Sequence, residues 1–233
     1  MRLAPLFPTS PTAANLERFS RRLGIRSLLM AEPGDKVAVL GDGTPDDLVL
    51  GVLAHRLDGR DVLGVVKPEY TGPSSVRAVK AIYSVPQFRR VRRFLLIIDQ
   101  EDLSLSEVRN RVKGELRAVG MATSDRGEEE GGRLLLYSCQ FTGAELELIV
   151  VISGLDESPY LKHTVEDHLL MAAERLLGRE SVPSGVRDPK RAWAILRDRH
   201  GEVFAWLLRV NRDLLRELFP QHIRALEFLS SMR

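Results

Sequence analysis

Two kinds of hydrophobic pattern alternate over residues 35–160. Short runs in which nearly every residue is apolar are typical of strands buried on both faces, and they lie at 36–40, 62–66, 93–98, 134–141 and 146–153. Stretches with apolar residues at every third or fourth position predict helices over 46–57, 74–85 and 103–119. This alternation predicts an α/β fold: a mainly parallel sheet of four or five strands with helices on both faces.

The two ends of the chain have different patterns. Residues 1–34 contain four prolines and one short helical pattern, which predicts an N-terminal arm packed on the α/β domain of residues 35–160. Residues 161–233 contain four helical patterns, at 164–177, 189–199, 202–218 and 220–232. We therefore expect a helical C-terminal region that packs on the α/β domain.

Composition and charge narrow the class of protein. With 233 residues, 44% of them hydrophobic, the chain can bury a sizeable core. Its 34 Lys and Arg against 32 Asp and Glu leave a net charge of +2, so any phosphate-binding surface must be local. Cys139 is the only cysteine, which excludes an intrachain disulfide and a Cys-based zinc site.

Two further features concern location and loops. No apolar run approaches the roughly 20 residues that span a bilayer, and the N-terminal residues do not lead into a signal-peptide core. We therefore expect a cytoplasmic protein without membrane partners. The acidic, glycine-rich stretch 125–132 predicts an exposed loop.

Carboxylates follow two of the predicted strands. The first strand leads into Gly41-Asp42-Gly43-Thr44-Pro45-Asp46-Asp47, and the central strand leads into Asp99-Gln100-Glu101-Asp102. Parallel strands end at the same edge of a sheet, where ligands bind, so the two clusters are expected to face each other. Close carboxylates raise each other's pKa unless a cation compensates them, and oxygen ligands suit Mg²⁺ or Mn²⁺. The residues alone predict only a divalent-cation site; such an ion can activate a water and offset the charge of a phosphodiester.

Some of these acids also have structural interpretations. Asp46 precedes an apolar helical pattern and suits a helix cap, and Asp47 suits the first turn of that helix. Asp42 stands between two glycines and suits a turn. Asp99 is the hardest to explain structurally, because it ends the most apolar strand and is followed directly by more acidic residues.

The two motifs, at this spacing, resemble those of the Toprim domain, the metal-dependent catalytic fold of topoisomerases, bacterial primases, small RNA maturases and the overcoming-lysogenisation-defect nucleases. In that family one strand ends in an acidic residue followed by Gly and, a few positions later, Asp, and a later strand ends in Asp-x-Asp. Asp42-Gly43-Thr44-Pro45-Asp46 and Asp99-Gln100-Glu101 stand in these places, with Asp102 beside the second. Asp42 replaces the family's Glu, and Glu101 its usual Asp.

A third segment is similar to the small prokaryotic relatives of these nucleases. His163-Thr164-Val165-Glu166-Asp167 resembles their Gly-x-x-Glu-Asp segment, which leads into a helical tail that carries a lysine, here Lys190. The resemblance covers residues 35–200 and implies that Glu166 lies near the metal and that Lys190 approaches a phosphate. The structural alternatives are a Glu166 that complements a helix dipole and a solvated Lys190.

What the resemblance implies is a Mg²⁺-dependent (or Mn²⁺-dependent) nuclease or related phosphodiester-transfer enzyme that acts on DNA or RNA. The implied catalytic residues are Asp42, Asp99, Glu101 and Lys190, and the implied metal site consists of Asp42, Asp46, Asp99, Glu101, Asp102 and Glu166. The alternative is a catalytically degenerate Toprim-like scaffold that serves as a binding or assembly module, which the two Asp/Glu exchanges favour. The oligomeric state, including a homo-oligomer, and protein partners are left open.

Two other signals carry less weight. The Gly41-Asp42-Gly43 motif with Asp46 is also similar to a metal-binding motif of haloacid-dehalogenase-type phosphatases, but the residues before it contain no Asp-x-Asp strand. The basic cluster 89–93 lies at the opposite end of the central strand from Asp99, roughly 20 Å away, and is interpreted as surface charge.

Overall fold

The computed structural model describes residues 1–28, 34–41, 45–57, 61–67, 75–84 and 88–231. Within these ranges the fold is α/β, which confirms the predicted class. The strands are β1 (Arg2–Pro5), β2 (Lys36–Val39), β3 (Val62–Val66), β4 (Arg93–Asp99), β5 (Ala122–Glu129), β6 (Leu134–Phe141) and β7 (Ala144–Ser153). The helices are α1 (Pro11–Leu23), α2 (Asp46–Arg56), α3 (Ser75–Ser84), α4 (Leu105–Ala118), α5 (Val165–Leu177), α6 (Pro189–Ile195), α7 (His200–Leu207), α8 (Arg212–Leu218) and α9 (Pro220–Ser231).

All the described strands belong to one mainly parallel sheet, in the order β1-β3-β2-β4-β7-β6-β5. The pairs from β1 across to β7 are parallel, and only β7–β6 and β6–β5 are antiparallel. The sheet has more strands than the four or five expected, because β1 and β5 are additions at its two edges. The residues predicted as an N-terminal arm thus contribute β1, in which Leu3 pairs with Leu63.

The prediction of an exposed loop over 125–132 was wrong, because most of that stretch belongs to strand β5. β5 pairs antiparallel with β6, although nearly all of its side chains are exposed. Its acidic side chains meet basic groups on neighbouring helices; Lys113 Nζ, for example, lies 2.6 Å from Asp125 Oδ2. The strand is held by backbone pairing and surface charge, neither of which leaves a hydrophobic period in the sequence.

The helices predicted at 189–199 and 202–218 are shorter in the structure. The pattern at 202–218 is split into α7 and α8, because the Asn211 side chain accepts a hydrogen bond from Leu214 N at 2.8 Å and begins a new helix. α6 ends at Ile195 and is followed by a short 3₁₀ turn at Arg197–Arg199.

Alternate residues of the central strand β4 face two separate hydrophobic clusters. Phe94 and Leu96 pack with α3 and α4 on one face of the sheet. Leu95 and Ile97 pack on the other face with α1, α2 and the C-terminal helices α5–α9. Helices on both faces and a helical C-terminal region are therefore confirmed. No helix in the part of the chain described here is both long and apolar enough to cross a membrane.

The register brings the ends of several strands to one edge of the sheet. Asp99 at the end of β4 pairs with Ser153 of β7, and Val39 of β2 pairs with both Leu96 of β4 and Val66 of β3. Asp99 and the described acidic residues that follow β2, Asp46 and Asp47, therefore lie at this carboxyl edge, where the first turns of α2 and α5 also begin.

Candidate functional site

Asp99 is held at the carboxyl edge by contacts to two helices. Its Oδ1 atom accepts a hydrogen bond from Val165 N, at the start of α5, at 3.1 Å. Its Oδ2 atom lies 3.3 Å from the Nζ atom of Lys190 in α6. Burial raises the pKa of Asp99 to about 6; Lys190 opposes this rise, and the carboxylate of Glu166 adds to it.

Asp46 is the first residue of α2 and is 4% exposed. The helix-cap interpretation of Asp46 was wrong, since Pro45 occupies the cap position and no side chain caps the helix. Asp46 Oδ1 is buried and has no hydrogen-bond partner among the residues that the structure describes. Burial raises the pKa of Asp46 well above its ordinary value, and Asp99 and Glu166 raise it further. Asp99 and Glu166 are therefore close enough for their charges to act on Asp46.

Asp47, the next residue, has a structural role. It is buried in the first turn of α2, where its Oδ2 accepts a hydrogen bond from Asn15 Nδ2 at 2.8 Å. Its Oδ1 accepts one from Leu48 N at 2.9 Å. Burial raises the pKa of Asp47, and the Asn15 hydrogen bond opposes the rise. Both oxygens are satisfied, so Asp47 ties α1 to α2.

Glu101 has an unusual backbone conformation, with φ at +58°. Its N–H donates to His163 O at 2.9 Å, and its carbonyl accepts from His163 N at 2.8 Å. Glu101 Oε1 lies 2.6 Å from Lys190 Nζ, and Oε2 lies 3.2 Å from Lys162 Nζ. Burial would raise the pKa of Glu101, but the two lysines outweigh it and lower that pKa.

Gly154 permits the approach of the His163 segment. Its φ is +120°, and a Cβ atom at this position would lie 2.4 Å from the Cβ atom of His163. No side chain fits there without movement of the backbone. Gly154, directly after β7, thus allows the bridge between His163 and Glu101.

The carboxylates of Asp46, Asp99, Glu101 and Glu166 together form what we call the acidic site. Two of the side chains at this site, Glu166 and Lys190, come from the C-terminal helices. Glu166 is buried in the first turn of α5, and its Oε2 accepts a hydrogen bond from Thr164 Oγ1 at 2.7 Å. Lys190 is the second residue of α6 and contacts both Glu101 and Asp99, so the interpretation as a solvated lysine was wrong. Burial would lower the pKa of Lys190, but these carboxylates raise it above its ordinary value.

One predicted site residue, Asp102, is not brought into this group, and a second, Asp42, is not among the described residues. Asp102 is exposed, and its charge acts on Lys162 at the surface. Asp42, with Gly43 and Thr44 of the same motif, lies outside the described residues.

Two further lysines, Lys67 and Lys162, were missed by sequence reasoning. Lys67 directly follows β3, and its charge lowers the pKa of Asp46 and of Asp47. The rule that singled out Asp99, a charged residue at the carboxyl end of a parallel strand, applies equally to Lys67. Lys162 follows no strand or motif, so the sequence carried no signal for it.

The acidic site satisfies a metal's requirements only in part. Among the described residues, no group of three or more His, Cys, Asp or Glu side chains is arranged to hold a metal ion. The donor chemistry nevertheless suits a hard cation, because several carboxylates converge and Asp46 Oδ1 is buried without a partner. In the structure, the compensating charge near Asp99 and Glu101 comes from Lys190.

The basic cluster at 89–93 lies at the other end of β4. Arg93 donates to Asp35 Oδ2 at 2.8 Å and to Glu147 Oε2 at 3.2 Å, so its charge is already paired. This supports its interpretation as surface charge.

Comparisons of the chain with protein-family models, with curated proteins and with solved structures gave no significant match. The function must therefore be argued from the acidic site itself.

Proposed function

We propose that the protein is a Toprim-like, Mg²⁺- or Mn²⁺-dependent nuclease or related phosphodiester-transfer enzyme acting on nucleic acid. The observation that supports this proposal is the convergence of Asp46, Asp99 and Glu166 at the carboxyl edge, where Asp46 Oδ1 is buried and has no hydrogen-bond partner among the described residues. Sites at the carboxyl edge of a parallel sheet are where ligands bind in such folds. Carboxylates that share one desolvated place are typical of divalent-cation sites.

The residues that would hold the cation are Asp46, Asp99 and Glu101, with Asp42 expected beside them from the sequence. When bound, a divalent cation supplies a water of lowered pKa and offsets the charge of the phosphodiester. The chain itself orients the ligands. Val165 N–H fixes one oxygen of Asp99, and the bridge to His163 fixes the backbone of Glu101.

Glu166 and Lys190 have supporting roles in this proposal. Glu166 is held by Thr164 and adds negative charge beside Asp46 and Asp99, which strengthens the attraction for a cation. The Lys190 ammonium stands at the rim of the same site with a partly exposed side chain, and it is the group best placed to bind a substrate phosphate.

The proposal is tested by incubating supercoiled plasmid, single-stranded DNA and structured RNA with the protein in Mn²⁺ or Mg²⁺. The wild type should cleave at least one substrate, and cleavage should stop in EDTA. Asp99→Asn should reduce the rate by about a hundredfold or more, since it removes a cation ligand. Asp47→Asn is the matched control on the satisfied carboxylate and should cleave like the wild type. Equal cleavage by Asp99→Asn would contradict the site assignment.

A second function, a metal-independent binding or assembly module, is favoured by one observation. Lys190 and Lys162 already neutralise much of the charge on Asp99 and Glu101, so the fold needs no cation there. This alternative predicts that millimolar Mg²⁺ or Mn²⁺ leaves the melting temperature unchanged. The nuclease proposal predicts a rise, because a ligand that binds only the native state stabilises it.

A further inference from the structure

Every oxygen of the Asp99 and Glu101 carboxylates faces a positively polarised partner. Asp99 Oδ1 accepts the hydrogen bond of Val165 N, and Asp99 Oδ2 lies 3.3 Å from Lys190 Nζ. Glu101 Oε1 lies 2.6 Å from the same Nζ atom, and Glu101 Oε2 lies 3.2 Å from Lys162 Nζ. One ammonium therefore bridges the carboxylate that ends β4 and the one that follows two residues later.

We infer that Lys190 is an internal competitor for the cation: it closes the acidic site in the metal-free chain and is displaced when a divalent ion binds. The inference rests on the proposed function and adds a regulatory step to it. A divalent ion held by Asp99 and Glu101 would compete with the Lys190 ammonium, because Lys190 Nζ already contacts both carboxylates. Two cations so close together repel strongly at a partly buried site.

The surroundings of Lys190 allow its side chain to move while its backbone stays in place. The first turn of α6 is anchored by Asp188, whose Oδ1 accepts from Arg191 N at 3.0 Å, and by the buried residues Pro189 and Trp193. The Lys190 side chain is 39% exposed, so its flexible four-carbon stem has space on the solvent side.

Displacement would also prepare the chain for its substrate. An ammonium released from Asp99 and Glu101 stays attached to the rim of the site, where it has lost its carboxylate partners. A phosphate held by the cation is the nearest replacement for those partners. Metal binding and phosphate binding are therefore coupled through Lys190, and each increases the affinity for the other.

Lys162 provides a matched control. It also pairs with Glu101, but through Oε2, the oxygen that does not contact Lys190, and its side chain is 45% exposed. Lys162→Met removes one positive charge from the same neighbourhood without vacating the position between the two carboxylates. If loss of a positive charge alone raised the affinity for Mn²⁺, both variants would bind it more tightly. If Lys190 competes with the ion for the same oxygens, only Lys190→Met will bind it more tightly.

The experiment measures Mn²⁺ binding by isothermal titration calorimetry for the wild type, Lys190→Met and Lys162→Met. Lys190→Met should bind Mn²⁺ about tenfold more tightly than the wild type, within the usual range of coupling between sites. Lys162→Met should stay within about threefold of the wild type. If the wild type binds Mn²⁺ and Lys190→Met binds it no more tightly, the competitor role is wrong and the proposed function stands. If none of the three proteins binds Mn²⁺, the proposed function fails as well.

A measurement on the wild type does not depend on the folding of a variant. Acetic anhydride labelling read by mass spectrometry compares Lys190 with Lys113, a lysine paired with Asp125 and 35% exposed. Saturating Mg²⁺ should increase the labelling of Lys190 severalfold and leave Lys113 unchanged. Labelling of Lys190 that does not rise with Mg²⁺ would overturn the displacement.

Discussion

Asp99 Oδ1 accepts a hydrogen bond from the backbone N–H of Val165 at 3.1 Å. This contact joins the carboxyl end of the central strand to the first turn of α5, whose N–H groups have no partner within the helix. The partial positive charge of a helix N-terminus favours the ionised form of a carboxylate. Asp99 is therefore oriented by the fold itself, before any ligand binds.

Replacing Asp99 by Asn should stabilise the metal-free fold, and more so as the pH rises. Because the folded pKa of Asp99 is about 6 against an ordinary value of 3.8, the stability that its neutral form contributes is lost as the pH rises through this interval. Asn mimics the neutral form and can still accept from Val165 N–H.

Urea unfolding in EDTA at about pH 4 and about pH 7.5 measures this effect. The difference between Asp99→Asn and the wild type should grow by about 1–2 kcal/mol between the two pH values. A difference that is constant or shrinks with pH would show that burial does not raise the pKa of Asp99.

At position 101, a glycine variant should be more stable than an alanine variant, which is the reverse of the usual order. At φ +58° a residue with a Cβ atom is strained, whereas glycine is not. Glu101→Gly should therefore be more stable than Glu101→Ala by about 1 kcal/mol, although both lose the ion pairs with Lys190 and Lys162. Denaturant unfolding of the two variants measures the difference, and an alanine variant as stable as the glycine variant would rule out this strain.

The close approach at Gly154 is tested by a pair of glycine substitutions. Gly154→Ala places a Cβ atom 2.4 Å from His163 Cβ and should cost about 3 kcal/mol or more. Gly143, with φ +80°, has no other atom within 4 Å of its Cβ position, so Gly143→Ala should cost only about 1 kcal/mol. Comparable losses in thermal unfolding would mean that the His163 segment does not pack against β7 in this way.

Asp46 and Asp47 are neighbours with different expected roles. Asp46→Asn should abolish the rise in melting temperature caused by Mn²⁺, because it removes a charged oxygen ligand. Asp47→Asn should keep the rise, since both Asp47 oxygens already accept hydrogen bonds. Differential scanning fluorimetry with and without millimolar Mn²⁺ compares the two. Loss of the rise in both variants would point to damage of the α2 N-terminus rather than to a metal ligand.

Much of the sheet was predictable because its inner strands are buried on both faces. Uninterrupted runs such as Val62–Val66 leave an unmistakable apolar pattern. β5 could not be found this way, since its residues are exposed and its stability comes from pairing with β6 and from surface charge. β1 is only four residues long and ends at Pro5, so its pattern is too short to identify.

Asp99 and Glu101 could be predicted as site residues from one rule, that parallel strands end at the same edge of a sheet. The rule does not reach Lys162, which comes close only because Gly154 allows the adjacent His163 to pair with Glu101. Its position depends on a long-range backbone approach that no local pattern in the sequence records. The identity of the compensating charge, an ammonium beside Asp99 and Glu101, likewise required the structure.

Binding of a divalent cation at this acidic edge is measured directly by electron paramagnetic resonance of Mn²⁺. Titrating Mn²⁺ into metal-free wild-type protein should reduce the free-ion signal by one or two equivalents per chain, as expected for a Mn²⁺ site of this type. Asp99→Asn should leave the free-ion signal close to that of buffer. A wild-type titration that matches buffer up to millimolar Mn²⁺, or equal binding by Asp99→Asn, would contradict the account.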